Sequence, residues 1–227
     1  MGILDAKRAA GHKAATLIES GMIVGLGSGS TSACFIEALI QRVKQEKLKI
    51  ETVASSHESA HLAKAGGLHV IELNAAPRVD LTIDGADEID PKKRMIKGGG
   101  GAHTKEKILA IASSEMVVIV DETKLVSSLG REKLPVEILF YGSPSTRSQI
   151  EKMGYQGKWR LNKDGSLFLT ESGNLLFDIQ FNTLLSDPEF HDTQLRQIPG
   201  VIATGFFFNL AGRVLIGHLD GITTIQQ

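Results

Sequence analysis

Strand-length apolar runs alternate with helix-length amphipathic segments through the first 121 residues, and this alternation limits the fold more than any other feature of the chain. MIVGL (22–26), KIETVAS (49–55), HVIEL (69–73), DLTIDGA (80–86) and MVVIVD (116–121) read as strands. Ile3 to Glu19, SACFIEALIQRV (32–43), HESAHLAKA (57–65) and KEKILAIAS (105–113) carry apolar residues at helical spacing. In the first of these, Leu4, Ala10, Ala14, Leu17 and Ile18 lie near one face. Strands separated by helices predict a parallel sheet with helices packed on its faces.

The rhythm changes after about residue 130. KLPVEILF (133–140), KWRL (158–161) and SLFLT (166–170) read as strands, and SPSTRSQIEKM (143–153) as a helix. The Asp-Gly pair in NKDGS (162–166) suits a hairpin turn. A helix near HDTQLRQI (191–198) precedes VIATGFFFN (201–209) and RVLIGH (213–218). The expected fold is α/β: a Rossmann-like parallel sheet with helices on both faces, plus a smaller α+β domain of ferredoxin-like kind. Residues 1–130 with 203–227 are expected to form the catalytic domain, and 131–202 the small domain, in subunit contact.

Composition excludes several classes. A formal net charge of −1 favours neither nucleic acid nor an acidic membrane surface. The longest apolar runs, MVVIV (116–120) and FFFNL (206–210), have strand length and are too short to span a bilayer. MGILDAKRAAGHKAA carries charges where a signal peptide would be apolar, and Ala6 stands where myristoylation favours Ser or Thr. The lone cysteine, Cys34, cannot form an internal disulfide, so a reducing, cytoplasmic setting is expected.

Three loops carry chemistry. GLGSGST (25–31) joins a strand to a helix, where backbone amides and the helix N-terminus can hold an anion, and Ser28, Ser30 and Thr31 add hydroxyl donors. It is not a dinucleotide fingerprint, because Ser30 stands where the third glycine would fall, and no Gly-Lys-Ser/Thr follows to make a P-loop. The bland alternative is a tight turn with an N-cap. DGADEID (84–90) follows a strand, so Asp84 and Asp87 can reach the sheet's carboxyl edge, where open parallel sheets bind ligands. These acids could move hydroxyl protons, hold a divalent ion, or merely cap turn amides. In KGGGGAHTKEK (97–107), four glycines follow Lys97 and precede Glu106 by a few residues. Glycines let a backbone approach a small ligand closely, at an entropic cost. Glu106 falls early in the following helix, where a catalytic base and a dipole-stabilising acid look alike.

GLGSGST, SSHESAHLA (55–63), DLTIDGADEID (80–90), MIKGGGGAHTKEKILA (95–110) and DETK (121–124), in this order, resemble the type A ribose-5-phosphate isomerases. The resemblance runs from the N-terminal helix to about residue 140 and continues more weakly through LPVEI, IPGVIATGFF and the closing LDG. It implies interconversion of D-ribose 5-phosphate and D-ribulose 5-phosphate without metal or cofactor, usually by a homodimer or dimer of dimers. Ser28, Gly29, Ser30 and Thr31 would hold the sugar phosphate, helped by Lys7. Asp84, Gly85, Ala86 and Asp87, with Lys97, Gly98, Gly99 and Gly100, would surround the reacting end. Glu106 would be the proton-transferring base and Lys124 a substrate contact. The chain departs from the family pattern at Ser28, at His103-Thr104-Lys105 and at His218-Leu219, without losing a named functional group.

Two rival readings compete. His57-Glu58-Ser59-Ala60-His61 matches the HExxH zinc-protease motif, a short and degenerate pattern that stoichiometric zinc would support. A sugar-phosphate sensor would bind without turnover, but such regulators carry a DNA-binding helix-turn-helix and a basic surface, and the sequence has no sign of either.

Overall fold

The structure, a computed structural model, describes residues 2–220 and 223–226. The chain begins α1 (Ile3–Ala15), β1 (Ile23–Leu26), α2 (Gly29–Glu46), β2 (Glu51–Ala54), α3 (His57–Ala65) and β3 (Val79–Asp84). It continues through β4 (Glu88–Ile89), β5 (Met95–Ile96), α4 (His103–Ile111), β6 (Ser113–Asp121), β7 (Leu134–Ile138), α5 (Ser143–Lys152) and β8 (Gly157–Trp159). It ends with β9 (Leu175–Ile179), α6 (Pro188–Arg196), β10 (Val201–Thr204), β11 (Phe206–Phe207), β12 (Ala211–Gly217) and β13 (Thr223–Gln226). Two expected strands are not regular strands. HVIEL makes a single bridge from Val70 to Thr52, and SLFLT makes only the bridges Leu161–Leu167 and Leu169–Leu175. LLFDI, which pattern alone does not mark as a strand, is β9.

The chain divides into two compact units. The first comprises the described residues of Met1–Ala86, Lys105–Leu125 and Asn209–Gln227. Its six-stranded sheet has the order β13-β12-β6-β3-β1-β2. All neighbours are parallel except β13, which runs antiparallel to β12 at the edge. Val24, Leu26 and Ile83 bury one face against Ala10 and Ala14 of α1, Phe35 and Leu39 of α2, and Ala63 of α3. Ile23 and Val53 pack instead with Leu109 of α4. Ile23 adjoins Val24 on one strand, so it points to the opposite face. Each fully buried large side chain contributes about 1.5–3 kcal/mol.

The second unit comprises Asp87–Thr104 and Val126–Phe208. Its four-stranded sheet, β10-β7-β9-β8, is antiparallel throughout. With α5 between β7 and β8 and α6 between β9 and β10, this is a βαββαβ unit with its first and third strands central, the ferredoxin-like arrangement. Val136, Ile138, Phe177 and Ile179 from the sheet pack with Ile150 of α5 and Leu195 of α6. A second small sheet has the order β11-β5-β4. Sequence pattern alone groups residues 87–104 with the first domain and sets the cuts at 130 and 203. In the structure β5 pairs with β11 and Lys97 N donates to Gly205 O, so this segment groups with the second unit.

Candidate active site

In the first unit the serine-rich turn sits where β1 hands over to α2. Ser28 is extended at the N-cap, yet its hydroxyl does not cap the helix and instead lies 2.8 Å from Ser55 Oγ. Ser55 in turn donates to Leu26 O, and Ser59 to Gly27 O. The serines of 55–59 therefore brace the turn from below, and the opening amides of α2 have no side-chain cap. An open helix N-terminus carries positive potential and unfilled donors. Lys7 Nζ adds a cation by donating to Ser30 Oγ at 2.9 Å. His57, Glu58 and His61 of the HExxH match are exposed on α3. Among the described residues no three His, Cys, Asp or Glu side chains cluster as metal ligands would.

Asp84, at the end of β3, is fully buried. Its Oδ1 accepts from Ser28 N at 3.0 Å, Ser32 Oγ at 3.1 Å and Gly85 N at 2.8 Å. A Cβ on Gly27 would stand 2.0 Å from that same oxygen, so only glycine lets the turn close over the carboxylate. A Cβ on Gly85 would come within 4.0 Å of Thr31 Cβ. The β1–β3 register, Leu26 opposite Ile83, thus brings Ser28, Thr31, Asp84 and Gly85 to one carboxyl edge of the parallel sheet.

Glu106 lies buried in the first turn of α4. Lys124 is half-buried in a short 3-10 turn (Glu122–Lys124) after β6, which Asp121 caps by accepting from Thr123 N at 3.1 Å. His218 was visible in the sequence only as a departure from the family pattern. Its Nδ1 lies 2.7 Å from Glu122 Oε2, tying the end of β12 to the turn that carries Lys124. Gly221, the last residue of LDG, lies outside the described residues.

The second unit holds Asp87 and the glycine run. Gly98 (φ 105) and Gly101 (φ 84) take left-handed backbone that L side chains rarely adopt, and Gly101 N closes the turn on Gly98 O at 3.0 Å. Asp87 Oδ2 accepts from Gly99 N at 2.7 Å. Lys97 is buried, with its Nζ 5.4 Å from the centroid of Phe207, in cation–π range. The opening of α4 is held by Glu137 of β7, whose buried carboxylate accepts from Thr104, Thr170 and Asn174.

Beneath this loop Asp178 pairs with Arg160 and Lys133. Burial pushes the Asp178 carboxyl up, but the bonds from Arg160 and Lys133 outweigh it and hold the group below its ordinary value. A depressed folded value means the pair stabilises the fold above the ordinary carboxylate range, about pH 4, and that this stability is lost as pH falls through the folded value. Asp178→Asn is therefore expected to lower stability near neutral pH and flatten the acid-side loss below about pH 4, as read by denaturant melts across that range. An unchanged acid profile would contradict the pairing.

The family model for ribose 5-phosphate isomerase A (phosphoriboisomerase A) matches residues 51–221. The chain belongs to this family. A ribose-5-phosphate isomerase A from Protochlamydia amoebophila (strain UWE25) is 47% identical over 222 residues, covering 98% of this chain and 95% of its own. The solved ribose 5-phosphate isomerase A from Methanocaldococcus jannaschii superposes with a TM-score of 0.92 at 34% identity, covering 98% of each chain. A solved D-ribose-5-phosphate isomerase in complex with phospho-erythronic acid superposes with a TM-score of 0.94 at 31% identity, covering 100% of each chain. The family accounts for the α/β sheet and the smaller antiparallel unit alike.

Proposed function

We propose that this member of the ribose 5-phosphate isomerase A family interconverts D-ribose 5-phosphate and D-ribulose 5-phosphate, in the non-oxidative branch of the pentose phosphate pathway. Near-full-length likeness to named isomerases carries the reading. The uncapped N-terminus of α2 with Lys7 on Ser30 supports it, since a sugar phosphate needs such an anion cradle. Phospho-erythronic acid, held by one solved relative, presents a planar carboxylate where an enediolate would be planar.

The exchange moves one proton between C1 and C2. In this reading Glu106 takes it from one carbon and returns it to the other. The enediolate between them is an anion, which Lys97 and the amide of Gly100 stabilise, with Gly98 and Gly99 shaping the loop that carries that amide. Asp84 and Asp87 handle hydroxyl protons during ring opening and orient the sugar, with Gly85 and Ala86 as the small residues of the same substrate loop. Ser28, Gly29, Ser30, Thr31 and Lys7 bind the phosphate, whose binding energy orients the reacting end. Lys124 is a further substrate contact.

We also propose that the enzyme is cytoplasmic, in keeping with a single free thiol, Cys34. Among the described residues no helix is long and apolar enough to cross a membrane. The second unit exposes Phe140, Tyr141, Phe190 and Ile202, which suits a role in subunit contact within a homodimer or dimer of dimers. Sedimentation velocity is expected to show a dimer or tetramer, and a monomer at micromolar concentration would refute it. The activity is tested by converting ribose 5-phosphate in a coupled assay, with equal rates expected with and without chelator. Binding without ketose formation would favour a sensor.

A further inference from the structure

We propose that Arg160 is a positioning residue of the isomerase: it turns the carbonyls of Gly98 and Gly99 inward and thereby aims the Gly100 amide outward as a donor to the anionic intermediate. The role in turnover rests on the isomerase reading above. The role in holding the loop does not.

Arg160 follows β8 directly, and its side chain is only 9% exposed. A guanidinium has five donors in a rigid planar fork. Two edges of that fork are used at once. Nε and Nη2 grip both oxygens of Asp178 on β9, while Nη1 donates to Gly98 O at 2.8 Å and Gly99 O at 2.9 Å. Lys133 adds a second cation on Asp178 at 2.6 Å. The buried charge of Arg160 is thus paired with Asp178, and the fork is fixed in direction before it meets the loop. Phe168 completes the cradle. Its ring lies 5.8 Å from the guanidinium carbon, and a Cβ on Gly101 would come 2.7 Å from its edge.

Peptide geometry carries the consequence. In a trans peptide the C=O and the following N–H point in opposite directions. With Gly98 C=O on Arg160, the N–H of Gly99 faces away and meets Asp87 Oδ2. With Gly99 C=O on Arg160, the N–H of Gly100 also faces away. Gly100 is exposed, and a Cβ there would meet nothing within 4 Å. The result is an amide donor held toward open space between Asp87's partner Gly99 and the Gly101 turn. A preorganised donor of this kind is what an enediolate oxygen requires.

The test compares Arg160→Met and Arg160→Lys with wild type. Arg160→Met is expected to lower kcat about 10- to 100-fold while KM for ribose 5-phosphate changes little, because a misaimed donor costs the intermediate more than the substrate. Affinity for phospho-erythronic acid should fall in step with kcat/KM, while affinity for inorganic phosphate stays at the wild-type level. Arg160→Lys keeps a charge opposite Asp178 and should recover the melting temperature but not the turnover, since an ammonium lacks the fork. If Arg160→Met does not fold, Arg160→Lys alone decides. A folded variant with wild-type kcat would overturn the proposal, as would equal losses of phosphate and phospho-erythronic acid affinity. Amide exchange at Gly99 gives a readout independent of activity: faster exchange in the variants supports the loop-holding role, and unchanged exchange refutes it. Wild-type protein inactive on ribose 5-phosphate would instead refute the isomerase reading, and the Gly99 exchange would still decide the role of Arg160 in the loop.

Discussion

Glu106→Gln is expected to fold normally and to turn over ribose 5-phosphate about a thousandfold or more slowly than wild type. Glutamine matches glutamate in shape and fits the same buried position in the first turn of α4, but it cannot accept a proton from carbon. A positioned general base contributes about 10²–10⁴-fold, and Glu106 is assigned both proton transfers, so the upper part of that range applies. Circular dichroism and a melt establish the fold, and a coupled assay gives the rate. Turnover close to wild type would take Glu106 out of the mechanism.

Lys97→Met should lower kcat about 100- to 1,000-fold, the usual cost of losing one donor to a developing oxyanion. The lysine stem is buried and its ammonium sits over the Phe207 ring, so methionine keeps the apolar stem and removes the ammonium. A higher KM with kcat unchanged would make Lys97 a binding group and remove it from stabilising the intermediate.

Much of the first unit was legible because period and length agree there. HESAHLAKA has the bounds of α3, and MVVIV lies within β6, both set by local pattern. HVIEL has the same local pattern, but beyond β2 it finds a single bridge and then turns into a 3-10 segment. Whether a β-prone run becomes a strand depends on its partner, which pattern does not reveal. LLFDI was missed for the same reason: β9 is central because β7 and β8 flank it, and both contacts are long-range.

The site shows a similar split. Ser28 to Thr31, Asp84 and the glycine run stand out because they are loops of small and polar residues, two of them directly after strands, where open parallel sheets bind ligands. The adjacency of Gly27 and Asp84 follows from strand order and that of Lys7 and Ser30 from the packing of α1 on α2, and neither is written in local pattern. Arg160 gave no signal at all. It is one arginine in KWRL, and the carbonyls it holds lie 61 and 62 residues earlier. The division of the chain was also hidden, because residues 87–104 join the second unit through pairing of β5 with β11.

Proton transfer by a carboxylate through an enediolate leaves an isotopic trace. Conversion of ribose 5-phosphate in deuterium oxide, followed by NMR, tests it directly. A proton held on a carboxylate exchanges with solvent during the life of the enediolate, so wild type should give ribulose 5-phosphate with deuterium at C1 in part or all of the product, and Glu106→Gln should give neither product nor label on the same timescale. Product with hydrogen fully retained at C1, or labelled product from Glu106→Gln at the wild-type rate, would contradict it.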